Sequence, residues 1–213
     1  MNQLIFKFPF KTNYFEEDFY VSANNFEAYK LIESWPKWSS RFINIFGPSG
    51  CGKTHLGNIF NKKINSFFIK ASELNNKSLS VIKLKECLIV DEYQNNVEEN
   101  LFYSILNQCY LSNQYIVVNS LKPIQFFDIK LKDLKSRFSS FVNFGIDLPT
   151  DQLIKVIISK NFSDKQIKIN NKLLEYILKN IDRSYESIFD LIDKLDDFSL
   201  STGKSININL IKK

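Results

Sequence analysis

The chain of 213 residues is 44% hydrophobic with a formal net charge of +5, enough apolar material for one large folded body, or one plus a small appendage. It has no run of about 18 apolar residues, and Lys7 interrupts the apolar opening before it reaches signal-peptide length, so neither a membrane span nor a secretory leader is expected and the setting reads as cytoplasmic. Cys51, Cys87 and Cys109 show no C-x-x-C spacing, and His55 is the single histidine, which argues against a disulfide framework or a zinc site; the lysines are scattered, so charge alone names no partner.

In chain order, MNQLIFKF comes first and sets Gln3 beside Leu4, Ile5, Phe6 and Phe8. By pattern it suits two roles equally: a peptide for another protein's pocket, or a strand of the domain's own core. Phe26 to Trp35 repeats apolar residues at helical spacing until Pro36. RFINIF (Arg41 to Phe46) then runs into glycines, and helical spacing resumes over Gly52 to Ile64, giving strand, loop and helix. SFFIK (Ser66 to Lys70), CLIVD (Cys87 to Asp91), YIVVNS (Tyr115 to Ser120) and FVNFGI (Phe141 to Ile146) read as further buried strands, with helical stretches such as Val97 to Tyr110 between them. Alternating strands and helices predict an α/β fold with a five-stranded parallel sheet flanked by helices. After Pro149 the strand signal fades. Helical segments near Thr150 to Ser159, Asn171 to Ile181 and Ser184 to Ser201 predict a small helical lid. The expected division is a short peptide over 1–12, an α/β body over 13–148 and a lid over 149–213.

GPSGCGKT, comprising Gly47, Pro48, Ser49, Gly50, Cys51, Gly52, Lys53 and Thr54, fills the pattern G-x-x-x-x-G-K-[ST] between a predicted strand and a predicted helix. In such a loop backbone N–H groups turn toward phosphate oxygens, the lysine reaches the β- and γ-phosphates, and Thr54 ligates Mg2+. LIVDE (Leu88 to Glu92) supplies an apolar strand ending in acids, with Asp91 placed to hold Mg2+ and Glu92 to orient an attacking water. Asn119 and Ser120 end a third strand as polar residues suited to sensing a γ-phosphate. His55, next in the loop's helix, reads as a packing residue rather than a base. Of 28 basic residues only Arg41, Arg137 and Arg183 are arginine, a choice that suits sites needing a planar, bidentate cation. Arg137 stands in LKDLKSRF (Leu131 to Phe138), a short amphipathic helix before the last strand.

GPSGCGKTHL, LIVDE, VVNSLKP and DLKSRF, in this order, resemble the AAA+ module of the DnaA replication-initiator family. The resemblance spans the chain from about Tyr14 onward. It implies a P-loop AAA+ domain with a helical lid, binding ADP or ATP with Mg2+, and it places Tyr20 and Val21 at the adenine. The end at Lys213 leaves no room for the family's C-terminal DNA-binding domain, so no direct sequence-specific DNA binding is expected. Short DnaA paralogues of the Hda type begin with a hexapeptide that docks on the DNA polymerase III sliding clamp, a pattern filled here by Gln3, Leu4, Phe6 and Phe8. Arg137 is implied as an arginine finger acting in trans on DnaA-bound ATP. In IDRSYESIFDLIDKLD the family's sensor II arginine position holds Glu186. Three readings follow: Arg183 substitutes from one turn earlier, the lid is turned away, or ATP is not the preferred ligand.

The expected function is an Hda-like regulator of initiation, partnered by DnaA and the clamp and not by membrane, with homo-oligomerisation left open. An autonomous AAA+ ATPase such as a helicase loader is the alternative, since Glu92 retains the acid that activates water.

Overall fold

The computed structural model describes residues 14–167 and 169–202. Gln3, Leu4, Phe6 and Phe8 of the opening segment lie outside the described residues. The chain divides into two compact units, Tyr14–Asp147 and a second that begins at Leu148.

In the first unit five strands, β1 (Phe42–Phe46), β2 (Ser66–Lys70), β3 (Cys87–Tyr93), β4 (Tyr115–Ser120) and β5 (Val142–Gly145), form one sheet in the order β2-β3-β4-β1-β5. Every pairing is parallel. The inner strands are buried on both faces, with Ile43, Ile45, Leu88, Ile89, Val90, Ile116, Val117 and Val118 inaccessible or nearly so. Such strands are written as unbroken apolar runs rather than alternations, which is why they stand out in the sequence. Side chains alternate between the faces. Leu88, Val90, Ile116 and Val118 share a core with α4 (Glu99–Leu111) and α5 (Lys132–Phe138) through Phe102, Ile105, Leu106, Leu134 and Phe138. Ile89 points to the other side, toward α2 (Lys53–Lys63). Gly57 sets how close α2 comes, because a Cβ there would meet Phe68 Cε2 at 2.8 Å and Asn119 Nδ2 at 3.3 Å.

The first helix, α1 (Phe26–Glu33), stops two residues short of the expected Trp35. A Ser34 turn follows, in which Ser34 Oγ donates to Leu31 O at 2.7 Å and competes with helix continuation. The sequence reading passed over α3 (Ser78–Ile82), a helix of 5 residues too short to display a period. Before α4 the Glu98 carboxylate accepts from the amides of Asn100 and Leu101, an N-cap that moves the helix start two residues past the expected Val97.

The second unit holds α6 (Asp151–Asp164), α7 (Asn171–Asn180) and α8 (Tyr185–Thr202). Thr150 and Asn170 cap α6 and α7 by accepting from Leu153 N and Leu173 N. Ile154, Ile158, Phe162, Leu173, Ile177, Ile188 and Ile192 make its core, and Lys165 Nζ ties the end of α6 to Asp196 at 2.6 Å. Among the described residues no helix is long and apolar enough to cross a membrane.

Candidate functional site

The loop 47–52 leaves β1 and turns into α2 at the ends of the parallel strands, where open α/β sheets place ligand sites. Gly50 and Gly52 take positive φ of 78° and 99°. Gly52 caps α2 in the left-handed region, a conformation costly for any residue with a Cβ. Lys53 Nζ donates to the carbonyls of Gly47 and Pro48, each at 2.8 Å, and so lies along the loop. Cys51 is buried beneath it; burial pushes its thiol up, against the opposing pull of Lys53, so it stays a neutral packing group. Cys87 and Cys109 are likewise free and buried, the latter pushed up to about 12 by burial.

The acidic strand end is built around a bulge. Val90 pairs with Val118 and Tyr93 with Ser120, so Asp91 and Glu92 together stand opposite Asn119. The extra residue sends the two acids in different directions. Asp91, 1% exposed, accepts from Thr54 Oγ1 at 2.8 Å and from Asn119 Nδ2 at 2.9 Å. Glu92, at φ 56°, is exposed and takes both carboxylate oxygens to Lys70 Nζ at 2.8 and 3.0 Å.

At the tip of β4 the two polar residues do different work. Asn119 Nδ2 bridges Asp91 and the carbonyl of Lys53, the latter at 3.2 Å, while its buried Oδ1 has no hydrogen-bond partner. Ser120 Oγ accepts from Asn44 Nδ2 at 2.8 Å and donates to Lys122 O at 2.7 Å. It is Asn119, then, that stands beside Asp91 and Thr54. Sequence reasoning offered both residues and had no means of separating them, since one step along a strand reverses the face.

These residues suit a nucleoside phosphate with Mg2+. Thr54 and Asp91 offer adjacent oxygen donors to a hard cation. Among the described residues no group of three or more His, Cys, Asp or Glu could hold a metal by itself. The orphaned Oδ1 of Asn119 adds an acceptor beside them.

Tyr20 is exposed and Val21 half-buried, and the Tyr20 carbonyl accepts from Asn25 Nδ2 at 3.0 Å. Arg137 sits on α5 with its guanidinium carbon 4.5 Å from the Tyr110 ring centre and Nε donating to Asn107 Oδ1 at 3.1 Å. In the second unit Arg183 pairs with Asp151 at 2.9 Å, and Glu186 is exposed in the first turn of α8. The Lys70–Glu92 pair joins two strands and escaped the sequence reading, which had assigned Glu92 no partner.

Comparison with known proteins finds likeness in both sequence and fold. The family model described as "Hda, lid domain" matches residues 151–213. The chromosomal replication initiator protein DnaA of Borreliella afzelii is 26% identical over 98% of this chain and 48% of its own length. The chain spans about half the length of the curated relatives it matches. Domain III of the DnaA protein from Thermotoga maritima superposes with a TM-score of 0.75 at 20% identity, covering 95% of both chains. AMPPCP-bound DnaA from Aquifex aeolicus does so with 0.64 at 23% identity, covering 88% of this chain and 67% of the other. In sequence and fold the chain is similar to DnaA, and its residues 151–213 match the lid model of Hda.

Proposed function

Proceeding from a DnaA-like AAA+ chain with an Hda-type lid, we propose that this protein is a nucleotide-bound regulator of replication initiation. One observation carries the reading: the lid segment matches the Hda model while the body retains a complete phosphate loop with Thr54, Asp91 and Asn119 joined behind it. Gly47, Pro48, Ser49, Gly50, Cys51, Gly52 and Lys53 bind the phosphates of ADP or ATP, and Thr54 with Asp91 holds Mg2+. Tyr20 and Val21 border the base, and Arg183 serves the phosphate side from the lid. Gln3, Leu4, Phe6 and Phe8 dock on the replicative sliding clamp in the cytoplasm, and DnaA carrying ATP is the partner. Arg137, already oriented by Tyr110 and Asn107, acts as the finger that speeds hydrolysis in DnaA and so prevents re-initiation.

The test reconstitutes hydrolysis of DnaA-bound ATP with clamp and DNA. Arg137→Ala is expected to lower the stimulation by roughly 10³-fold or more, the scale of trans arginine fingers, and Gln3→Ala with Leu4→Ala to abolish clamp pull-down. Full stimulation by Arg137→Ala sinks the finger, and unchanged pull-down removes the tether.

Glu92 supports the second reading, an autonomous ATPase such as a helicase loader, because an acid next to Asp91 is the group that orients water in such enzymes. Fast ATP turnover by the protein alone selects that reading.

A further inference from the structure

A strap runs from Tyr14 to Tyr20 across α2, the helix that opens at the phosphate loop. Its hold on that helix is denser than a chain entry needs. His55 Nε2 donates to the Phe15 carbonyl at 2.6 Å, and its ring lies 5.4 Å from those of both Tyr14 and Phe19, edge-on to the latter. Lys62 Nζ donates to the Tyr14 carbonyl at 2.6 Å and stands 5.2 Å from the centre of the Phe15 ring. Lys63 bonds Glu16 at 2.7 Å and reaches Glu33 of α1 as well. Phe19 stacks on Tyr29 with ring centres 5.8 Å apart. The far end of Phe19 meets the loop itself, where a Cβ on Gly52 would come within 3.0 Å of Phe19 Cε2. The ring therefore backs the left-handed turn that aims the first amides of α2.

We propose that His55 and Phe19 are positioning residues for the phosphate loop. His55 clasps the strap to α2, Phe19 wedges the Gly52 turn, and nucleotide in the loop and closure of the strap stabilise one another. The proposal deepens the nucleotide-binding reading and rests on it. Two magnitudes support a strap that opens. Its ion pairs are exposed, the Lys63 and Glu16 side chains 34% and 44%, and pairs of that kind hold weakly. The strap buries little, since Phe15, Glu16 and Glu17 are all exposed, so it belongs to the part of the fold that opens most readily. Coupling between the two must be reciprocal: whatever factor nucleotide adds to strap closure, strap release subtracts from nucleotide affinity.

Hydrogen exchange at residues 14–20 and Mg–ADP affinity, measured together on the full chain, test the proposal. In the wild type ADP is expected to slow exchange across 14–20. His55→Ala should speed that exchange and weaken ADP by about tenfold, within the usual coupling range, whereas His55→Gln, which keeps a side-chain N–H donor, should restore much of both. Phe19→Ala leaves α2 intact and should give the same paired loss. ADP that binds the wild type and leaves 14–20 unchanged overturns the inference alone. So does a His55→Ala chain with a released strap and undiminished affinity. A wild type that binds no ADP overturns the nucleotide reading, and this inference with it.

Discussion

At the residue scale, the two adjacent acids of β3 differ in what they touch. Asp91 is buried against Thr54 and Asn119, while Glu92 is turned outward onto Lys70 by the bulge and its positive φ. If Glu92 is the water-orienting acid, Lys70 competes for it. An exposed pair shifts such an equilibrium by no more than about fivefold, so Lys70→Ala should raise basal ATP turnover by up to about that factor, read in a coupled phosphate-release assay. A Lys70→Ala chain with turnover at or below wild type removes Glu92 from that role. Glu16 makes a second case. Its hydrogen bond with Lys63 outweighs burial and holds its carboxyl below the ordinary value of 4.5. With a depressed native value, the contribution is complete above that ordinary value and is lost as pH falls below it. Lys63, Glu33 and Tyr29 are the other titratable groups in contact with Glu16. Exchange protection of 14–20 should thus weaken on acidification from neutral pH toward 4, and Glu16→Gln should flatten that dependence.

At the scale of elements, Asn44 shows what fastens β1, β4 and the loop beyond. It is fully buried in mid-strand; its Nδ2 donates to the Val118 carbonyl at 2.7 Å and to Ser120 Oγ, and its Oδ1 accepts from Ile124 N at 2.9 Å. Asn44→Ala leaves the buried Ile124 N–H without its acceptor and takes a donor from the Val118 carbonyl and Ser120 Oγ, and should cost about 2–4 kcal/mol in chemical denaturation. A loss below about 1 kcal/mol would mean that water or repacking satisfies them. Asn44 also marks where sequence reading stops. FINIF was legible as a strand because four of its five residues are apolar, yet a polar residue in such a run gives no hint of its partners 74 and 76 residues away. The strands were legible as short apolar runs and the three lid helices by their helical period. The loop GPSGCGKT was legible because backbone chemistry needs glycine at fixed spacing. The Lys70–Glu92 pair, the His55 clasp and the division of labour between Asn119 and Ser120 were not, being contacts between elements that leave no local period. Two helix ends moved by two residues where a side chain took up backbone groups, at Glu98 and Ser34.

At the scale of the whole molecule, the order β2-β3-β4-β1-β5 puts the fourth strand synthesised at the middle of the sheet. Phe42 aligns with Ile116 and Cys87 with Tyr115, so β4 joins two partners made well before it. Until it arrives, β1 and β3 have no common neighbour and the sheet is two separate fragments. Long closures of this kind must be made before their contacts repay them, which slows folding relative to a helical bundle. Val118→Ala, in the strand that joins the fragments, is therefore expected to slow refolding more than it speeds unfolding, as stopped-flow chevrons would show. The same feature has a consequence during synthesis. A ribosome that has delivered residues through Leu111 has released β1, β2 and β3 but not the strand that unites them, and for that interval the nascent chain carries open strand edges that invite pairing with other chains.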